Sequence, residues 1–223
     1  MESGVEQSLE GHQGGIFCLA QGGAYLFSGG EDMCIYTWQY AETGFAPLIK
    51  LEGPQSAVQR MTTVEGSEGA AGVLVSAHRG GTIHMWDLTS GAPTSVINTG
   101  HTNALCAIWL EESYLFTGAL DGHVKVWDGA GGQLWDQEIT NQQNMPSGVA
   151  AMLVVPEGES SVLVTACDDK ALKLWVLPTF NKRGIIGARV GHSDVVRCMA
   201  RGPGNSFFSG GMDGNIMVWE FIA

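Results

Sequence analysis

Basic residues are scarce in this chain. Lys and Arg together number 11 against 23 Asp and Glu, a formal net charge of −12 over 223 residues. Such a chain is poorly placed to neutralise phosphates and release counterions, so direct contact with nucleic acid ranks low. Charge of either sign is also sparse, at 15 %, while apolar residues reach 44 % and run throughout the chain. That balance excludes a disordered acidic tail. Cysteine is thinly spread: Cys18, Cys34, Cys106, Cys167 and Cys198 lie far apart and no two form CxxC. An odd number argues against a complete disulfide set, and a reducing compartment, cytoplasm or nucleus, is expected. Long apolar runs are missing as well. Stretches such as Val149 to Pro156 are too short to span a bilayer, so no membrane role is expected. The opening MESGVEQSLEGH has neither the basic nor the apolar region of a secretory signal.

Glycine, by contrast, supplies 32 residues, which suits many short strands joined by tight turns. A tryptophan recurs with one lead-in: Ser28 to Trp38, Ser76 to Trp86, Thr117 to Trp127, Thr165 to Trp175 and Ser209 to Trp219. Five copies of one spacing identify a repeat protein. The third copy shows the plan. Gly100-His101 opens it, Leu105 to Leu110 and Tyr114 to Gly118 are apolar runs, and Leu120-Asp121-Gly122 is a hairpin turn. His123 to Trp127 then alternates, with Val124 and Val126 on one side and Lys125 and Trp127 on the other, and Leu134 to Ile139 reads as a fourth strand. Four antiparallel strands per repeat make a propeller blade. The chain therefore reads as all-β, one propeller of five four-stranded blades over residues 9–51, 52–98, 99–139, 140–189 and 190–223.

The repeats are not uniform. The second has Gly53-Pro54 where Gly-His is expected and Gly80 in place of the turn Asp, and the fourth has no Gly-His but keeps Thr165, Asp169 and Trp175. Their extra length, at Glu65 to Gly72 and Pro156 to Ser161, reads as enlarged hairpin loops. The last repeat stops after its third strand, and Val5 to Leu9 is the expected fourth strand that closes the ring.

In repeats one, three and five the same polar set recurs: His12, Ser28, Asp32, Trp38; His101, Thr117, Asp121, Trp127; His192, Ser209, Asp213, Trp219. Ser, His and Asp suggest a hydrolase triad, but catalysis needs no third copy and no GxSxG is present. A structural network is expected instead: the hydroxyl accepts from the indole and bonds to the imidazole, which bonds to the carboxylate. No enzyme activity, cofactor or metal is expected. Cys18 and Cys198 hold equivalent places in different repeats, Asp168-Asp169-Lys170 reads as a hairpin turn, and the glycine runs match no phosphate-binding fingerprint.

The Gly-His, Ser/Thr, turn Asp and Trp-Asp pattern resembles the WD-repeat family from about Leu9 to Phe221. Trp86-Asp87 and Trp127-Asp128 carry the signature dipeptide, and Trp38-Gln39, Trp175-Val176 and Trp219-Glu220 are variants of it. The resemblance implies a β-propeller used as a docking platform. Tyr25 to Gly30, Leu51 to Pro54, Leu177 to Gly184 and Ala200 to Trp219 look like segments of plant and algal zinc-finger CCCH and WD-repeat proteins. In that family a finger precedes about seven blades, and this chain reads as lacking the finger and the first two blades.

In WD-repeat propellers one face often docks partners through the residue before the turn Asp and residues three and five beyond the histidine. Carried over, the first class is Glu31, Arg79, Leu120, Asp168 and Met212, and the second includes Phe17, Gln59, Cys106, Val195 and Arg197. The set mixes aromatic, Met and Arg side chains, types enriched in interface cores, with Phe17 and Arg197 as the expected anchors. The resemblance thus implies a scaffold that binds a peptide or protein. The alternative is an RNA- or nucleic-acid-associated factor whose zinc-finger part lies outside this chain.

Overall fold

The computed structural model describes residues 7–42, 44–64, 72–111, 114–158, 160–187 and 191–221. Every regular element among them is a β-strand. The residues fall into two compact units, Met1–Gly100 and His101–Ala223, so the boundary lies between the second and third repeats.

The first unit holds two four-stranded antiparallel blades. One comprises β1 (Ile16–Gly22), β2 (Tyr25–Gly30), β3 (Ile35–Ala41) and β4 (Gly44–Leu51), and the next β5 (Val58–Val64), β6 (Val73–His78), β7 (Thr82–Asp87) and β8 (Pro93–Asn98). In the second unit the third blade is β9 (Leu105–Glu111), β10 (Tyr114–Ala119), β11 (His123–Trp127) and β12 (Gln133–Glu138). The fourth is β13 (Val149–Glu157), β14 (Ser160–Cys167), β15 (Leu172–Leu177) and β16 (Asn181–Ile186), and the fifth β17 (Val196–Arg201), β18 (Ser206–Gly211) and β19 (Ile216–Glu220). Strands pair in chain order within each blade, as hairpin connections dictate.

The turn between second and third strands is built alike in all five blades. Met33, Gly81, Gly122, Lys170 and Gly214 take φ of 62°, 82°, 86°, 69° and 78°. Each donates its backbone N–H to the carbonyl three residues back, from Met33 to Gly30 through Gly214 to Gly211. This is a tight turn followed by a left-handed residue, a position that glycine fills without strain.

Alternation gives each sheet two apolar faces, and blades stack through them. In the first unit Phe27, Ile35 and Leu51 of the first blade pack with Val58, Met61, Leu74 and Trp86 of the second. In the second unit Phe116, Val124 and Val126 pack with Val149, Met152, Leu163 and Trp175. Leu153, Val164, Leu172 and Leu174 then pack with Val196, Phe207 and Trp219. In each contact one blade presents the face bearing its tryptophan, and its predecessor presents the opposite face.

Two expectations about length come out differently. Pro156 to Ser161 is not an enlarged loop: β13 and β14 run nine and eight residues and pair through Pro156 with Ser161 and Glu157 with Ser160. The alternating apolar residues on both sides extend the hairpin instead of opening it. Pro156 is tolerated because β13 lies at the edge of its sheet and has only one ladder to serve. In the second repeat, residues 65–71 of the expected loop fall outside the described residues.

The fifth blade shows three strands among the described residues. Of the expected closing segment, Val5 and Glu6 lie outside them, and Gln7 to Leu9 carry no strand. The Gln7 amide instead bonds the main chain of Phe45 on β4 in both directions, accepting from its N–H at 2.9 Å and donating to its carbonyl.

Candidate functional site

Three of the recurring polar sets are assembled within their blades. In the third, His101 Nδ1 lies 3.0 Å from Asp121 Oδ2, its Nε2 lies 3.0 Å from Thr117 Oγ1, and Trp127 Nε1 donates to that same oxygen at 3.0 Å. The first repeats this with His12 to Asp32 at 2.9 Å, His12 to Ser28 at 2.9 Å and Trp38 to Ser28 at 2.9 Å. The fifth has His192 to Asp213 at 3.0 Å, His192 to Ser209 at 2.8 Å and Trp219 to Ser209 at 2.7 Å.

The carboxylates do more than orient the ring. Asp121 also accepts the N–H groups of Thr102 and His123, at 2.8 and 2.9 Å, tying the leading loop to the hairpin turn. Burial alone raises the Asp121 pKa, but the bonds from the His101 ring and these two N–H groups outweigh it and hold it at about 2, against an ordinary 3.8. The His192 bond heads the causes that likewise hold Asp213 well below the usual carboxylate range. Asp121→Ala is expected to lower unfolding stability by about 1–3 kcal/mol, because the buried imidazole and two N–H groups lose their acceptor. Urea unfolding that superimposes on wild type sinks this assignment of the network.

The second blade, which lacks the Gly-His, supplies its own histidine. His78 comes from β6, two residues beyond Ser76, so the two side chains share a face. Its Nε2 lies 2.9 Å from Ser76 Oγ, which accepts from Trp86 Nε1 at 2.9 Å. In the fourth blade Thr165 Oγ1 accepts from Trp175 at 3.2 Å, while Asp169 pairs with buried Lys173 at 2.8 Å. Neither substitute follows the family spacing: His78 stands two residues beyond Ser76, and Lys173 eight residues beyond Thr165 on the next strand.

The docking candidates are held by two local devices. Glu31, Arg79, Leu120, Asp168 and Met212 each donate the backbone N–H to a leading-loop carbonyl: Gly15, Ala57, Ala104, Gly148 and Val195, at 2.8–3.0 Å. All five side chains are exposed at the turn ends of their blades. Asp168 accepts from Ser147 Oγ at 2.9 Å, so its carboxylate is partly engaged. The second device is a β-bulge in the first strand. The register shifts between Val58 and Arg60 and between Val196 and Cys198, leaving Gln59 and Arg197 as the bulged residues. Phe17 is bulged between Ile16 and Cys18, and Cys106 lies where the β9 ladder skips from Ala107 to Leu105. A bulge re-aims a side chain out of the sheet's alternation, which is how these residues reach the turn end. Phe17 is 44 % and Met212 58 % exposed; Arg197 is exposed, and Gln59, Cys106 and Val195 are half-buried.

Sequence reasoning missed a polar cleft of about 320 Å³ in the second unit. Asn141, Gln142 and Gln143 face Asp169, Lys170 and His192 across it, and Lys170 Nζ is tied to the Ser193 carbonyl at 2.8 Å. The amide run Asn141 to Asn144 was the available signal.

Blades of this topology, with an indole-hydroxyl-imidazole-carboxylate chain inside them, define a β-propeller of WD repeats. The chain carries WD repeats: residues 4–39, 92–128 and 185–220 match the family described as WD domain, G-beta repeat. It is similar to zinc finger CCCH domain-containing protein 17 of Oryza sativa subsp. japonica, 29 % identical over 225 residues, covering 100 % of this chain and 49 % of that protein. Striatin-4 of Homo sapiens is 26 % identical over 233 residues, covering 96 % of this chain and 30 % of that protein. Among solved structures, the computationally designed Ika8 protein matches with a TM-score of 0.72 and 28 % identity, over 96 % of this chain and 60 % of that one. The chain thus spans half or less of the length of these two natural relatives. Among the described residues no helix is long and apolar enough to cross a membrane.

Proposed function

We propose that this chain is a protein-interaction scaffold whose turn-end residues dock a peptide or protein segment, with no chemistry of its own. The observation that carries this is the shared hydrogen bond that fixes five non-identical, exposed residues, Glu31, Arg79, Leu120, Asp168 and Met212, at the same place in successive blades. A constant main-chain mount bearing variable side chains is what a recognition surface needs, because the scaffold stays rigid while specificity varies. The bulged Phe17 and Arg197 supply the anchor types, one in each unit. The histidines that could suggest catalysis are spent on indole-linked hydroxyls and carboxylates inside the blades. The net charge of −12 favours a partner that is not itself a polyanion. Five free cysteines suit a reducing compartment.

The test is a quantitative pull-down comparing wild type with Phe17→Ala and Arg197→Ala. Each exposed truncation is expected to leave folding unchanged and to deplete the same specific partner by about tenfold or more, as loss of a hot spot of 1.4 kcal/mol or larger does. If both variants retain every partner that wild type captures, the turn end is not the docking face.

A further inference from the structure

The fourth blade lacks the leading-loop histidine, and a buried ammonium stands in its network instead. Met145 lies four residues before Val149, as His101 lies four before Leu105, but it is 59 % exposed. With no imidazole against it, Asp169 takes Lys173 Nζ of β15 as its counter-charge, at 2.8 Å, and the Lys173 side chain is 1 % exposed. An ammonium has three N–H donors. Asp169 supplies the opposite charge, yet among the described residues no acceptor meets Lys173 Nζ in hydrogen-bonding geometry. Its other neighbour, the Cys167 thiol, is no anion, because burial pushes its pKa up to about 11. Taking an ammonium out of water is costly unless acceptors replace the water.

Lys173 also lines a cleft of about 350 Å³ between the third and fourth blades, both in the second unit. Gln137 and Thr140 border it from the third blade, and Trp175, Asn181 and Lys182 from the fourth. Lys182 stands opposite Trp175 in the ladder, so it shares the face of Lys173, and it is exposed where Lys173 is buried. Glu138 borders the cleft too, but it pairs opposite His123, and alternation turns its side chain to the other face from Gln137. The cleft is thus rich in donors and poor in acceptors. Its sequence surroundings are basic as well: residues 170–201 hold seven of the chain's 11 Lys and Arg and one acid, Asp194.

We propose that this cleft binds a compact oxyanion, a carboxylate or a phosphate, with Lys173 at its floor and Lys182 at its rim. The oxyanion supplies the acceptors that the buried ammonium is missing. A volume of this size takes a small ligand or one side chain. The net charge of −12 repels a long polyanion, but salt screens charges beyond about 8 Å, so a single group seated beside Lys173 feels chiefly the two ammoniums. The site is separate from the turn-end docking residues and stands whether or not that reading holds.

Calorimetric titration of the full chain with inorganic phosphate and with glutarate, at constant ionic strength, tests it. Each anion is expected to saturate one site per chain with Kd of about 1 mM or below, and each to compete with the other. Lys182→Glu, at an exposed position, is expected to weaken both by tenfold or more with an unchanged thermal melt. Lys173→Met is expected to remove binding, and Lys182→Glu carries the test if that variant does not fold. A peptide of one phosphoserine flanked by alanines separates the two sources of the same group. Binding at least as tight as that of free phosphate assigns the oxyanion to a protein segment, and tenfold weaker binding assigns it to a free anion. Absence of saturation by about 10 mM, or affinities that Lys182→Glu leaves unchanged, overturns the proposal.

Discussion

Replacing Trp86 with alanine is expected to cost the chain about 3–5 kcal/mol of stability, the range for removing a buried tryptophan. The side chain is 2 % exposed and sits among Phe27, Ile35, Leu51, Val58, Met61 and Leu74, at the contact between the two blades of the first unit. Its loss opens a cavity that both sheets line, and the sheets cannot collapse into it without breaking their own ladders. A second cost adds to the first: Ser76 Oγ loses the donor that holds it beside His78. Trp86→Phe separates the two, since it refills most of the volume but brings no N–H. It is expected to recover more than half of the loss. Denaturant unfolding reads both variants, and a Trp86→Ala midpoint within error of wild type would falsify the claim that this contact holds the unit together.

The reason these positions could be found in the sequence is that their spacing is set within a single hairpin. Ser76 and Trp86 lie on neighbouring strands, and β6 pairs with β7 so that Leu74 stands opposite Trp86 and Ser76 opposite His84. Strand alternation and turn length fix that geometry, and both are local. The same holds for Val124 and Val126 against Lys125 and Trp127, whose two-face division the pattern states outright. What was not legible depends on partners far away in the chain. The bulges at Phe17, Gln59 and Arg197 are shifts of register against a second strand, and no residue type announces them. The family resemblance marked these residues, but the reason they project appears only in the ladder. The polar network was hidden where a stand-in came from an unusual place: His78 replaces a histidine that the first, third and fifth blades draw from a leading loop. Pro156 misled for the opposite reason. Proline, glycine and serine together read as a loop, and only the one-sided pairing of β13 shows why the proline is tolerated there.

Acidification is expected to act first on that stand-in. His78 is fully buried, and burial, with the His84 ring 4.6 Å away, pushes its pKa down to about 3 from an ordinary 6.5. In the folded chain it therefore stays neutral through the mildly acidic range, while in the unfolded chain it takes up a proton below 6.5. The unfolded state binds more protons across this window, so stability falls as pH is lowered from about 6.5 towards 3 and is fully present above 6.5. Between pH 7 and pH 5 the loss from this one group is about 2 kcal/mol. The three Asp-linked networks respond in a different window. Asp32, Asp121 and Asp213 are all held below the ordinary 3.8, so their contributions persist at pH 5 and are lost only as pH falls through the folded values. His78→Leu keeps the volume apolar and removes the titration. Its stability is expected to be lower at pH 7, where the bond to Ser76 is missed, but to fall much less between pH 7 and pH 5. The residual slope comes from His84, whose pKa burial also lowers. Urea unfolding of both proteins at the two pH values decides the matter, and equal losses for wild type and variant place the acid sensitivity outside the second blade.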